Sequence, residues 1–149
     1  MTYQFKKVTP FKIDIIRASY QSTNQIALSG SLPNTSASIS SNRLTIPSGS
    51  DWYICCSAGQ KYGTGNGAAT TMQIWDYTNS QYIGIKANCT GWESLVRGRS
   101  AACALILDSE ISTSLELGFW YQTASSGTWY SNDADMYQFI TLQIMELPA

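Results

Sequence analysis

The chain of 149 residues contains no histidine. That absence removes Ser-His-Asp and Cys-His nucleophilic catalysis, together with the commonest transition-metal ligand. Charge is scarce as well: Asp, Glu, Lys and Arg supply 13% of the residues, against ~25% in an ordinary soluble domain. A formal net charge of -1 excludes general nucleic-acid binding through phosphate neutralisation. No apolar run reaches the ~20 residues of a membrane-spanning helix. Residues 1–12 mix Lys, Gln and Thr where a signal peptide needs an apolar core, so synthesis in a cytoplasm and no membrane partner are expected.

The chemical motifs that remain are incomplete. Cys55, Cys56, Cys89 and Cys103 lack the CxxC spacing of zinc and redox sites. Adjacent Cys55 and Cys56 should point to opposite faces of a strand, so the cysteines read as small hydrophobes in a reducing compartment. The glycine-rich GTGNG at 63–67 has no following Lys-Ser or Lys-Thr and opens no helix, so it is a hairpin tip and not a phosphate loop. Asp133 and Asp135 lack the rest of a calcium loop. Asp76, Glu93, Asp108, Glu110 and Glu116 scatter over strand ends and turns, where they read as solvated carboxylates and not as a glycosidase pair. No enzymatic activity, metal or cofactor is expected.

What the chain does have is strand pattern and aromatics. Hydrophobic residues make up 44% and Phe, Trp and Tyr 12%. This charge-poor, aromatic-rich balance also typifies contacts between subunits. Helical periodicity is absent, and runs rich in Ile, Val, Thr, Tyr and Trp recur between Gly, Pro, Asn and Ser clusters. Strands are expected over 11–20, 25–28, 43–46, 52–58, 70–77, 82–87, 94–107 with an interruption, 114–122 and 136–147. Such a series indicates an all-β sandwich or barrel forming one domain over 1–149.

The clearest segment is LTIPSGSDWYICCSA at 44–58, a strand, a tight turn and a second strand that drops Trp52, Ile54, Cys56 and Ala58 onto one face. Ile140, Leu142 and Ile144 alternate in the same way near the end. Two other strands are apolar on both faces. In 70–77, Met72 and Ile74 share a face with Asp76, while Trp75 and Tyr77 lie opposite; in 114–122, Leu115, Leu117, Phe119 and Tyr121 lie opposite Trp120. The outer face of a monomeric sandwich should be polar. Trp75, Tyr77, Trp120, Phe139 and Met145 are therefore expected at a contact between subunits. Trp92, Trp129 and Tyr130 fall in or beside loops, where aromatic rings could stack on sugars.

Charge is unevenly placed. Lys6, Lys7, Lys12, Arg17 and Arg43 against Asp14 alone make residues 1–43 carry +4, leaving -5 on the remainder. Residues 1–10 are read as a docking arm, with Lys6, Lys7, Lys12 and Arg17 available to an acidic partner surface.

From about residue 39 to 147 the chain resembles the trimeric jelly roll of the tumour-necrosis-factor and complement globular-head superfamily, especially its bacteriophage versions. The matching segments are SISSNRLTIPSGSDWYICCSA at 38–58, MQIWDYTNSQYIG at 72–84, the Gly-Phe-aromatic stretch at 118–121 and the closing MYQFITLQIMEL at 136–147. The resemblance implies a jelly-roll β-sandwich forming a homotrimer, with one sheet of each subunit turned toward its neighbours. It further implies a virion structural protein made in a bacterial cytoplasm. The expected role is a capsid decoration, or cement, protein bound to the major capsid protein on the head surface, favoured by the small size and a start at Met1 without a fibre shaft. The alternative is a receptor-binding tail-fibre or baseplate tip touching a bacterial surface glycan through Trp92, Trp129 and Tyr130.

Overall fold

Alternating apolar and polar residues become extended chain throughout the computed structural model, which describes residues 11–20, 25–61, 68–91, 97–123 and 140–148. The strands are β1 Lys12–Tyr20, β2 Ile26–Leu28, β3 Ser38–Ser40, β4 Arg43–Pro47, β5 Ser50–Lys61, β6 Ala68–Asp76, β7 Gln81–Ile83, β8 Ile85–Gly91, β9 Arg97–Ile106, β10 Ser114–Thr123 and β11 Ile140–Pro148. Among the described residues the only helical element is a single 3-10 turn at Asp108–Glu110.

All pairings are antiparallel, and they build two sheets. The front sheet runs β2-β1-β11-β5-β9, and the back sheet runs β6-β10-β4-β3 with β7 on the outer edge of β6. β8 belongs to both: Ile85, Lys86 and Ala87 pair with Cys103, Ala102 and Ala101 of β9, whereas Asn88 to Gly91 pair with β6. On the other side, a bridge from Gln25 to Trp120 brings the chain just before β2 against β10. The sheets are thus tied along both flanks.

One core lies between them. Trp52, Ile54 and Cys56 of β5 and Ile140, Leu142 and Ile144 of β11 meet Met72 and Ile74 of β6, Leu44 and Ile46 of β4, and Leu115, Leu117 and Phe119 of β10. Full burial of each such side chain contributes about 1.5–3 kcal/mol. Trp52 also satisfies its indole N–H, which donates to the Pro47 carbonyl at 3.0 Å. The alternation expected for 52–58 and for the closing strand is therefore the alternation that builds the core, and the all-β sandwich is borne out.

Two details were not expected. β3 pairs with β4 through a two-residue turn in which Ser41 (φ 51°) and Asn42 (φ 61°) are both left-handed, the backbone that a twisted hairpin favours. The expected strand 82–87 is interrupted at Gly84, where φ is +76° and the chain leaves β6 to reach β9. A Cβ on Gly84 would collide with the Cys103 carbonyl oxygen and lie 2.8 Å from Ala104 Cβ. Gly84→Ala is expected to cost about 3 kcal/mol, combining left-handed strain with backbone overlap. Gly49→Ala, also at positive φ but with open space around it, should cost about 1–2 kcal/mol. Urea unfolding of the two variants checks this, and equal losses would contradict the role given to the Gly84 contact.

Candidate functional site

Every second residue of the front sheet points away from the core, and these residues are mostly apolar. Rows of paired positions cross the sheet: Ile15, Gln143, Cys55, Cys103 and Ile85 form one, and Ile13, Met145, Tyr53 and Leu105 form the next. Ile15 is 63% exposed, Ile85 79% and Leu105 60%, with Leu107 following just beyond β9. Among the described side chains of this face the charged one is Asp51, at the sheet's end, where it accepts from the Asp108 backbone N–H at 2.7 Å. Contiguous apolar surface poor in charge is what a subunit contact needs and what a solvated sheet avoids.

The centre of this face holds thiols and a phenol. Burial, followed by the neighbouring Cys103, pushes the Cys55 thiol up to about 11, and the Tyr53 hydroxyl is raised to about 12 by its hydrogen bond with Cys103 and by the nearby thiols. Cys56, on the core side, is pushed up by burial. Cys55 and Cys56 therefore remain neutral thiols near neutral pH, and neutral thiols are poor nucleophiles. Cys55 and Cys56 do face opposite ways, as strand geometry requires.

The outer face of the back sheet is built differently. Trp75 meets Tyr82 edge-on, with ring centroids 4.7 Å apart and planes at 72°. Tyr77 covers Gly118, whose missing side chain leaves room for the phenol ring, and the Arg43 guanidinium lies 3.9 Å from the Tyr77 ring centre. Arg43 also bonds Glu116 at 2.6 Å. That pair is half exposed, so its contribution to stability is about 1 kcal/mol or less. Trp120 is half-buried beside Gly118 and is bridged through its backbone to Gln25. The aromatics of this face thus have partners within their own chain.

A third cluster sits at the end of the front sheet. Asp14 is buried and accepts from the Thr35 hydroxyl at 2.7 Å, the Thr35 backbone at 2.8 Å and the Asn34 backbone and side-chain amides. Glu146 accepts from the Ser36 backbone and hydroxyl, the Ser50 hydroxyl and Lys12, the last at 3.5 Å. Burial alone would raise both carboxyls, but the donors of Thr35 and Asn34 outweigh it at Asp14, and those of Ser36, Ser50 and Lys12 outweigh it at Glu146. Both are held below their ordinary values. They pin the segment 34–36 across the edge formed by β1 and β11.

The expected site residues therefore separate. Trp75, Tyr77 and Trp120 lie on the back sheet's outer face, whereas Met145 lies on the front sheet's outer face, where Gln143 donates to its sulfur at 3.4 Å. No single flat contact contains both sets. Lys12 is in β1 and paired with Glu146, and Arg17 has its backbone in β1. Phe139, Lys6, Lys7, Trp92, Trp129, Tyr130, Glu93, Asp133, Asp135 and the GTGNG segment lie outside the described residues. Asp76 departs from its reading as a solvated carboxylate: it is buried and accepts from the backbones of Thr78 and Asn79 and from the Asn79 amide at 2.7 Å, closing the β6–β7 turn. Asn79, three residues downstream, was the available signal for that turn. The residues that sequence reasoning passed over are Ile13, Ile15, Tyr53, Ile85 and Leu105. Among the described residues, no three His, Cys, Asp or Glu side chains are grouped to hold a metal. No protein-family model matches this chain, and no curated protein matches it in sequence.

Proposed function

We propose that this chain is a virion structural protein of a bacteriophage, a capsid decoration protein that binds the assembled head as a homotrimer and stabilises it. The observation that carries the reading is the apolar outer face of the front sheet, formed by Ile13, Ile15, Tyr53, Ile85, Leu105 and Met145, with Asp51 at its end the one charge among the described side chains. A jelly roll is supported by strand pairs that nest like one long folded hairpin: β1 with β11, β4 with β10, β5 with β9 and β6 with β8. In this reading Met145 stays at the subunit contact and is joined by the five residues above. Trp75, Tyr77 and Trp120 instead brace the back sheet.

Decoration acts through mass action. A trimer that binds only the assembled shell stabilises it by RT ln(1 + [L]/Kd), about 2.7 kcal/mol at a concentration a hundred times Kd, and three linked contacts add avidity. The basic residues Lys6, Lys7, Lys12 and Arg17 supply the attraction to the major capsid protein.

Mixing the purified protein with undecorated heads tests this. It should co-sediment with heads and raise the temperature at which they release their contents. Removal of residues 1–7 should weaken binding most at low salt, where charge attraction is least screened, while leaving the subunit assembly intact. Failure of the whole chain to bind heads contradicts the decoration role, and undiminished binding of the truncated chain contradicts the part given to the arm.

A further inference from the structure

β5 and β9 run side by side in the front sheet, and their register sets Cys55 directly opposite Cys103. Both side chains alternate with buried neighbours and so point outward, both are half-buried, and both thiols are free. The two thiols hydrogen-bond to each other, and the Tyr53 hydroxyl bonds Cys103 from the next row. Cys56 takes no part in this cluster: it is buried on the core side, and its cross-strand partners are Ala102 and Leu142.

We infer that Cys55 and Cys103 form a reversible disulfide that clips β5 to β9 when the protein meets an oxidant of the disulfide class, such as oxidised glutathione. Directly opposed residues of an antiparallel pair have Cα atoms ~4.5 or ~5.5 Å apart, and both values lie inside the ~4.4–6.8 Å range of disulfides. Their Cβ atoms stand ~4.5–5.5 Å apart, against ~3.5–4.5 Å in a disulfide. The strands must therefore close by about 1 Å. A bond made under that strain is reduced more readily than a relaxed structural disulfide.

The chemistry is thiol–disulfide exchange. One cysteine, as its thiolate, attacks a sulfur of the oxidant RSSR, and a thiolate RS⁻ leaves with the electron pair of the broken S–S bond. The second cysteine then attacks the mixed disulfide at the protein sulfur, and the second RS⁻ leaves. The two RS⁻ take up the two cysteine protons, so two thiols and RSSR become one cross-strand disulfide and two RSH, with two electrons passed to the oxidant. Burial, followed by the neighbouring Cys103, holds the Cys55 thiol up at about 11, so its attack is slow near neutral pH and faster in base. The bond joins two residues of one chain and takes no surface from a contact between subunits. It does not depend on attachment to heads.

Equilibrating the folded full chain with oxidised glutathione at about pH 9, where more thiolate is present, then quenching in acid and digesting for mass spectrometry, tests the inference. Most chains should lose two hydrogens and yield peptides joined through Cys55 and Cys103, and dithiothreitol should restore both thiols. Cys55→Ser and Cys103→Ser should each abolish the joined peptides. Because both side chains are half-exposed, circular dichroism should show both variants folded. Leu105→Asp is oxidised in parallel, so that a pair shielded by a subunit contact is told apart from a pair that does not bond. A Cys55–Cys103 bond in either protein supports the inference. It is overturned if both thiols stay free in the original protein and in Leu105→Asp, or if a bond to Cys103 persists in Cys55→Ser.

Discussion

Leu105→Asp is expected to convert the assembled protein into folded single chains. Leu105 is mostly exposed in the isolated subunit and ends the row formed with Tyr53 and Met145 on the apolar front face. In one subunit the substitution costs little, because the carboxylate reaches water. In an assembly built on that face, every subunit would bury an unpaired charge, at several kcal/mol each. Sedimentation velocity should therefore show a smaller species, while the circular dichroism spectrum keeps its β signature. Trp75→Asp is the matched control on the opposite sheet. If Leu105→Asp leaves the assembly whole and Trp75→Asp dissociates it, the contact belongs to the back sheet.

The second large effect is expected in acid. Asp14 and Glu146 have folded-state pKa values below their ordinary ones. Their stabilising contribution is therefore complete above the ordinary carboxylate range of about 4 and is lost as pH falls through the lowered folded values. Asp14→Ala removes that contribution at every pH and strands the Thr35 hydroxyl, the Thr35 N–H and the Asn34 amides. A loss of about 3 kcal/mol near neutral pH follows from hydrogen bonds to a buried charge. Urea unfolding at neutral pH and near pH 3 checks the sign. The gap between the original protein and Asp14→Ala should narrow in acid, and a gap that stays constant would contradict the account of the cluster.

The fold was legible wherever one face of a strand is consistently apolar. Trp52, Ile54 and Cys56, and likewise Ile140, Leu142 and Ile144, announce their burial by strict alternation, and the structure buries all six. Leu115, Leu117 and Phe119 behave in the same way. The site was harder to read because strand alternation separates two faces without saying which meets solvent and which meets another chain. Trp75 and Trp120 drew attention by size, yet Tyr82 and Gly118 show that a large aromatic can be accommodated within its own sheet. In β9 the run Ala101–Ile106 is apolar on both faces, so nothing in its pattern singles out Leu105. Ile85 was hidden because it follows the Gly84 kink, which moves it from the back sheet to the front.

Long-range polar pairing is equally silent in sequence. Nothing near Asp14 or Glu146 announces their partners, because Thr35 and Ser36 come from a distant loop and reach them only once β1 and β11 lie side by side. Ser38–Ser40 has one apolar residue, too few to mark a strand, and becomes β3 because the left-handed Ser41-Asn42 turn folds it onto β4.

The central claim is that three chains assemble through their front sheets. Sedimentation equilibrium of the unaltered protein at micromolar concentration tests it most directly. The account predicts a single species with three times the mass of one chain, and a species with the mass of one chain would contradict it.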